Sequence, residues 1–430
     1  MTVMTKEITA VRAEKGLISP LIIIGILFFI FGFVTWLSAV LIPYLQIACE
    51  LNNFQSYLVA FAFYISYFVM GVPSGWLLKI TGFKKGMSIG LLLVAVGSLL
   101  FIPAALNRQY TLFLFGLFVQ GAGLTVLQTA SNPYVTILGP KESAARRISF
   151  MGICNGIAGA IAPVILGAVI LNDADALKNK LSSLNATQKI IELNDLAGKV
   201  ILPYSIITLI LIVLAAIIYF STLPELNEEE LDEGVEVLEK TTKTSVFQFP
   251  HLMIGVLVLF GYTGVEVIAG NSIIGYGAYQ GIPLATAKFF TSFTLISMLV
   301  GYLVGIVCIP KYFSQETALK SSAVLGILFA VLAILSSGII SVVFVALLGL
   351  ANSLMWPSIW PLAIAGLGKF TKTGSSLLVM AISGAAVLPL LYGYIADHVN
   401  AQQAYWMVIP CYLAVGYYAV AGHKVGKKNT

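Results

Sequence analysis

Charge is scarce in this chain. Of its 430 residues only 10 % are Asp, Glu, Lys or Arg, while 59 % are hydrophobic; a soluble domain carries about a quarter charged residues. Mean hydropathy is +0.95, and a water-soluble globule with that little polar surface is excluded. Histidine is rare, with three in the chain, and the four cysteines (Cys49, Cys154, Cys308, Cys411) lack CxxC spacing. That excludes a zinc cluster or a disulfide framework, and the cysteines read as small apolar fillers. No basic tail with interleaved aromatics points to nucleic acid. A membrane enzyme would need a nucleophile–base pair or a metal cluster, and no mid-span histidine supplies one. A sensor or scaffold would carry a soluble domain, for which the short polar interruptions leave no room. Nothing calls for a cofactor.

What the chain has is long apolar runs. Twelve are long enough for a hydrocarbon core of about 30 Å: 19–45, 54–79, 86–105, 110–136, 148–171, 201–223, 250–270, 287–309, 321–336, 339–366, 374–396 and 404–422. Backbone in lipid must satisfy its own hydrogen bonds, so these are helices; continuous rather than alternating hydrophobicity excludes a transmembrane barrel. The ninth and tenth are parted only by SSGIIS, and the fourth and tenth are long enough to tilt or extend beyond the bilayer. The charged N-terminus precedes a long apolar run without a small-residue cleavage site, so it reads as a retained first helix behind a short tail.

Lys and Arg set the orientation. With the N-terminus inside, only Arg108, Lys178, Lys180, Lys189, Lys199 and Lys288 fall outside, leaving 18 of the 24 basic residues inside. That bias puts both termini in the cytoplasm. The acidic stretch 224–249 has six spans on either side. The expected organisation is a cytoplasmic tail (1–18), a six-helix bundle (19–223), an acidic cytoplasmic linker (224–249), a second six-helix bundle (250–422) and a cytoplasmic tail (423–430). The outside loop 172–200 has the composition of a short amphipathic helix. The fold class is an all-α, multi-pass membrane protein of two six-helix bundles.

Charge at membrane depth is costly and usually functional. Glu266, in GYTGVEVIAGN (261–271), is the only carboxylate well inside a span. It is either neutral, or paired with a cation or donors, or a structural hydrogen-bond partner between bundles. Amides gather at similar depth: Gln120, Gln128 and Asn132 in the fourth span, Asn155 in the fifth and Asn352 in the tenth. Gln128 and Asn132 are four apart and share a face; Gln120, eight before Gln128, is expected near it. Trp356 follows Asn352 by one turn, and Trp36 and Ser38 lie in the first span. Groups that both donate and accept, beside aromatic faces, suit a polyhydroxylated solute such as a sugar. Each amide alone could equally be interhelical glue, and each Trp could be core packing. Glycine-dense and proline-bearing spans (GICNGIAGAIAPVILG, Pro357, Pro361, Pro389) fit helices that bend and slide, as in a carrier rocking about a midplane site.

Twelve spans in two sixes resemble the major facilitator superfamily. GWLLKITGFKKG (75–86) is similar to a worn form of that superfamily's loop motif, lacking its Asp. GAGLTVLQTASNPYVTILGPKESAARRISF (121–150), GYTGVEVIAGN and the stretch 356–398 resemble the fucose:proton symporter and glucose/galactose transporter family. The resemblance implies a sugar carrier in a bacterial inner membrane, working by alternating access as a monomer. It places Gln128 where the fucose symporter has a glutamate and glucose/galactose members a glutamine, Asn155 at an asparagine expected to touch sugar, and Glu266 at the family's seventh-span glutamate. It also shows a departure: Ser38 and Ala39 stand where an Asn-Asp pair is usual. Both carboxylates associated with proton coupling are therefore missing. Three coupling schemes remain: a cation, Na⁺ or H⁺, held by Glu266 with Thr263, Ser38 or backbone oxygens; a proton on Glu266 itself; or uncoupled uniport with Glu266 accepting sugar hydroxyls. Drug export is the alternative substrate class, and the amides favour sugar. Lys79, Lys84 and Lys85 are expected to make cytoplasmic contacts, with Glu142 as one partner.

Overall fold

The computed structural model describes residues 20–137, 144–171, 174–181, 183–221, 223, 244–309, 312 and 314–426. The terminal tails, most of the acidic linker, and Lys141 and Glu142 lie outside the described residues. Among the described residues, eleven helices are long and apolar enough to span a bilayer: Leu21–Ala48, Asn53–Thr81, Phe83–Leu106, Tyr110–Ser131, Phe150–Ile170, Ala186–Phe220, Pro250–Asn271, Leu284–Cys308, Gln315–Leu335, Gly338–Ile364 and Thr373–His398. A twelfth begins as a 3-10 turn, Gln403–Met407, and continues as Val408–Val420, so no single helix there reaches spanning length. We number these spans first to twelfth.

Turn chemistry matches the sequence. Gly82, at φ +75°, ends the second span and starts the third, a conformation only glycine adopts freely. Gly338, at φ +61°, makes the sharp corner between ninth and tenth. Asn52 and Asn185 each open a helix with a reciprocal capping box, to Gln55 and Gln188; the second starts an amphipathic helix, Ala186–Gly198, in the loop after the fifth span. That loop holds two helices, Ala174–Leu181 as well, rather than the one expected. Lys84 donates to the carbonyl of Ser221 at the end of the sixth span.

Several spans are broken. The tenth stops at Asn352 and restarts at Met355. Pro357 has no N–H for the carbonyl four residues earlier, which places the break at Ser353. The first breaks at Leu37, the seventh at Ser272 and the eleventh at Ile382–Ser383. Past its amphipathic lead-in Ala186–Gly198, the sixth continues as Ile201–Phe220, which is apolar all round and exposes Leu202 (68 %), Leu209 (63 %) and Phe220 (80 %), a surface that lipid covers.

Within each half, glycines let helices meet backbone to backbone. A Cβ on Gly32 of the first span would lie 1.9 Å from the carbonyl oxygen of Asn155 in the fifth; one on Gly384 of the eleventh would lie 1.8 Å from that of Phe260 in the seventh. A Cβ on Gly121 of the fourth span would lie 2.2 Å from the Phe63 carbonyl oxygen of the second, and one on Gly349 of the tenth 2.0 Å from that of Thr294 in the eighth. The two halves thus repeat the same pair of contacts, first with fifth and second with fourth.

The halves touch each other mainly at the end carrying residues 46–53. There the second span packs on the eleventh and the fifth on the eighth. Asp397 accepts from Asn53 N (3.0 Å), Asn53 Nδ2 (2.7 Å) and Phe54 N (2.8 Å), capping the second span from the opposite half. Tyr57 meets Tyr392 edge to face, and Asp175 accepts from Ala285 N. At the other end, the first–seventh and fourth–tenth pairs make no comparable contact among the described residues.

Candidate functional site

Glu266 sits in the middle of the seventh span. Protein surrounds it on all sides, yet part of its surface stays accessible, as it does for a side chain lining an internal space. Tyr262, one turn earlier, turns its hydroxyl to the Glu266 carboxylate. Tyr64, Tyr302 and Tyr412, from the second, eighth and twelfth spans, lie near enough to feel the charge of the same carboxylate. Tyrosines from both halves therefore share the neighbourhood of this carboxylate. Such a group can hold a proton or a hard cation, or accept from a polyol.

From Glu266 a polar line runs into the N-terminal half. Tyr64 stacks against Tyr67, with ring centroids 6.2 Å apart, and the Tyr67 hydroxyl accepts from Gln128 Nε2 at 3.1 Å. Gln128 is partly exposed to the same interior. Asn155 is also half-buried, and its amide has no hydrogen-bond partner among the described residues; a mid-span amide in that condition is open to a ligand.

Trp36 closes this region toward the contacting end. It packs with Ala160, Leu295 and Met298, with Tyr302 alongside. Its ring occupies the place a side chain would take on Gly270 or Gly159, where a Cβ would come within 2.1 Å and 2.4 Å. The indole thus wedges between the fifth, seventh and eighth spans and joins the two halves. Just beyond it, Asn271 Nδ2 donates to Ser38 Oγ at 3.1 Å. Ser38 therefore serves a contact between halves rather than Glu266.

The remaining expected residues divide. Thr263 is buried and donates to the carbonyls of Phe260 and Ala381, so its hydroxyl is engaged between the seventh and eleventh spans. Asn352 is fully buried; its Oδ1 accepts from Tyr412 at 2.9 Å, and its Nδ2 has no partner among the described residues. It positions Tyr412 instead of lining the interior. Trp356 stacks on Trp360 at 5.2 Å, both rings partly exposed. The side chain of Asn132 lies outside the described residues. Gln120 is a correction. It is 2 % exposed and donates to Ser98 between the third and fourth spans. Eight residues advance a helix by about 80° beyond two full turns, which turns Gln120 away from the face of Gln128.

The tyrosines and Asn271 were not singled out from the sequence. Their signal was spacing: Tyr262 lies four before Glu266, and Tyr64 and Tyr67 lie three apart in an apolar run. Both are same-face separations.

The description of the Major Facilitator Superfamily matches residues 24–386. The chain is 35 % identical to the glucose/galactose transporter of Brucella abortus (strain 2308) over 419 residues, 97 % of each chain. It is 31 % identical to the L-fucose-proton symporter of Escherichia coli K12 over 405 residues, 92 % of each. Among solved structures it resembles FucP in the outward conformation, with TM-score 0.71 and 28 % identity, covering 96 % of this chain and 99 % of that one. With a match across most of its length and relatives above 30 % identity end to end, this multi-pass membrane protein belongs to the Major Facilitator Superfamily.

Proposed function

We propose that the protein is a secondary active transporter that imports a hexose-type sugar across a bacterial inner membrane by cation symport. The observation that carries the reading is the line Gln128–Tyr67–Tyr64–Glu266, with the open amide of Asn155 beside it. It brings sugar-type donors and acceptors from both halves to the one mid-span carboxylate among the described residues. The names of the relatives, glucose/galactose transporter and L-fucose-proton symporter, support the substrate class and symport.

In this reading Gln128 and Asn155 hold sugar hydroxyls, with Trp36 as the roof and Trp356 as a stacking face. Glu266 takes the coupling cation, H⁺ or Na⁺, among tyrosine hydroxyls. The protein works as a monomer, with two bundles (19–223 and 250–422) joined by the acidic linker and both termini cytoplasmic. The contacting end is then outside, and the structure is closed outward and open toward the cytoplasm. Trp36 and the Ser38–Asn271 pair part when the bundles rock to admit sugar from outside.

The test is uptake of radiolabelled glucose, galactose and fucose into proteoliposomes, with Na⁺ and pH gradients imposed separately. At least one sugar should accumulate under one gradient, and Glu266→Gln should abolish the gradient dependence. Uptake driven equally with and without gradients would make the protein a uniporter. No sugar moving under any condition would sink the substrate class.

A further inference from the structure

A second cavity, away from Glu266, opens at the contacting end. It measures about 330 Å³ and lies between the halves. One wall carries Gln46, Asn53 and Tyr57, and the other Asn271, Tyr279 and Asn400. It adjoins a larger trough of about 540 Å³ that shares Gln46, Asn53 and Tyr279 and ends at Glu50 and Lys189. Those two charges pair with each other, and the nearby Asp397 carboxylate is occupied by the second-span cap. The smaller cavity is lined by neutral polar groups and aromatic rings, without a charged side chain among its lining residues.

Part of its polar surface is unused. Gln46 donates through Nε2 to Asn53, while its Oε1 has no partner among the described residues. Asn400 accepts through Oδ1 from Gln403 N, and its Nδ2 is likewise unpartnered among them. Tyr279 is 51 % exposed and lies nearly parallel to Tyr276, 6.1 Å away. Its hydroxyl makes no hydrogen bond among the described residues. A free acceptor, a free amide donor and an open ring around one small neutral space suit a monosaccharide-sized polyol. The volume is at the low end of ligand pockets, which run from about 300 to 1,000 Å³.

We propose that this vestibule is a second, external sugar site that holds the outer ends of the bundles together. Its walls come from both halves, so it has this shape only while they touch. A ligand that binds one state better shifts the equilibrium toward that state. External sugar bound here favours the outward-closed carrier, and at about ten times its dissociation constant cuts the outward-open fraction about tenfold. High external sugar therefore slows the return step and lowers uptake. The choice of sugar as ligand, and of this end as external, rests on the transport proposal above.

Two measurements test it. Uptake of D-galactose and D-glucose is followed as external sugar rises far above the transport KM. Wild type should pass through a maximum and fall at least twofold; Tyr279→Ala should rise to a plateau, and Tyr279→Phe, which keeps the ring, should retain the fall. A wild-type plateau, or a fall that survives in Tyr279→Ala, overturns the proposal. Separately, saturation-transfer NMR with D-galactose is recorded on purified Gln128→Ala/Asn155→Ala protein that elutes as a single species. A persisting signal that Tyr279→Ala with Gln46→Ala reduces at least fivefold supports the vestibule; an absent or unreduced signal refutes it. If no sugar is transported, the transport proposal fails by itself, and the NMR measurement still decides the vestibule.

Discussion

Removing the charge of Asp397 should loosen the contacting end. This carboxylate accepts three hydrogen bonds, at 2.7–3.0 Å, from the first residues of a helix in the opposite half. The substitution Asp397→Asn keeps one acceptor oxygen but turns an NH₂ toward a backbone donor and loses the attraction of a helix N-terminus. That attraction is worth about 0.3–1 kcal/mol near the surface, and a lost hydrogen bond about 0.5–1.5 kcal/mol. Asp397 is exposed, so water competes and the lower halves of these ranges apply. The sum, about 0.8–1.7 kcal/mol, shifts the balance between closed and open outer ends about 4- to 17-fold. Spin labels at Asn107→Cys and Ser337→Cys, both at this end of opposite halves, report the separation by double electron–electron resonance once the four native cysteines are replaced. The long-distance population should grow in Asp397→Asn and grow further in Asp397→Ala. Unchanged distance distributions in both variants would refute the latch.

Gly270→Ala should block closure of the same end, because its methyl meets the Trp36 ring; overpacking of this kind costs about 1–3 kcal/mol. Uptake should fall severalfold, and Trp36→Ala in the same protein should partly restore it. Gln120→Ala should lower thermal stability by about 0.5–1.5 kcal/mol through the lost hydrogen bond to Ser98, whose hydroxyl still donates to the Val94 carbonyl, and leave the sugar KM as it was. Gln128→Ala should instead weaken sugar binding by about 1–3 kcal/mol, read by competitive binding on detergent-purified protein. Tyr412→Phe leaves the Asn352 amide wholly unpaired in a buried contact, at a cost of about 1–3 kcal/mol, seen as a lower melting temperature.

The scaffold was legible because lipid leaves few choices. Apolar length marks eleven of the twelve spans directly, and proline placement marks the tenth-span break. The twelfth escaped a simple length rule because it starts as a 3-10 turn. The candidate site could be nominated where a residue's chemistry clashes with its surroundings: Glu266, Gln128 and Asn155 are polar groups in apolar runs, and all three keep accessible surface. It was illegible where chemistry fits either role. Gln120 and Asn352 look the same as Gln128 in sequence, and only their azimuth on the helix consigns them to Ser98 and Tyr412. Tyrosine is at home in apolar packing, so Tyr64, Tyr262 and Tyr302 gave no warning that they lie near a carboxylate. Ser38 and Thr263 were chosen for their oxygens, which already serve helix contacts.

The four glycine–carbonyl contacts have a practical corollary. Where Gly32, Gly121, Gly349 and Gly384 press against another stretch of backbone, neither partner can creep past the other without steric collision. Each half is consequently a bolted shell, and whatever compliance the carrier has lies along the seam between shells. Tethers placed within one shell should be silent to turnover, while a single tether across the seam should arrest it.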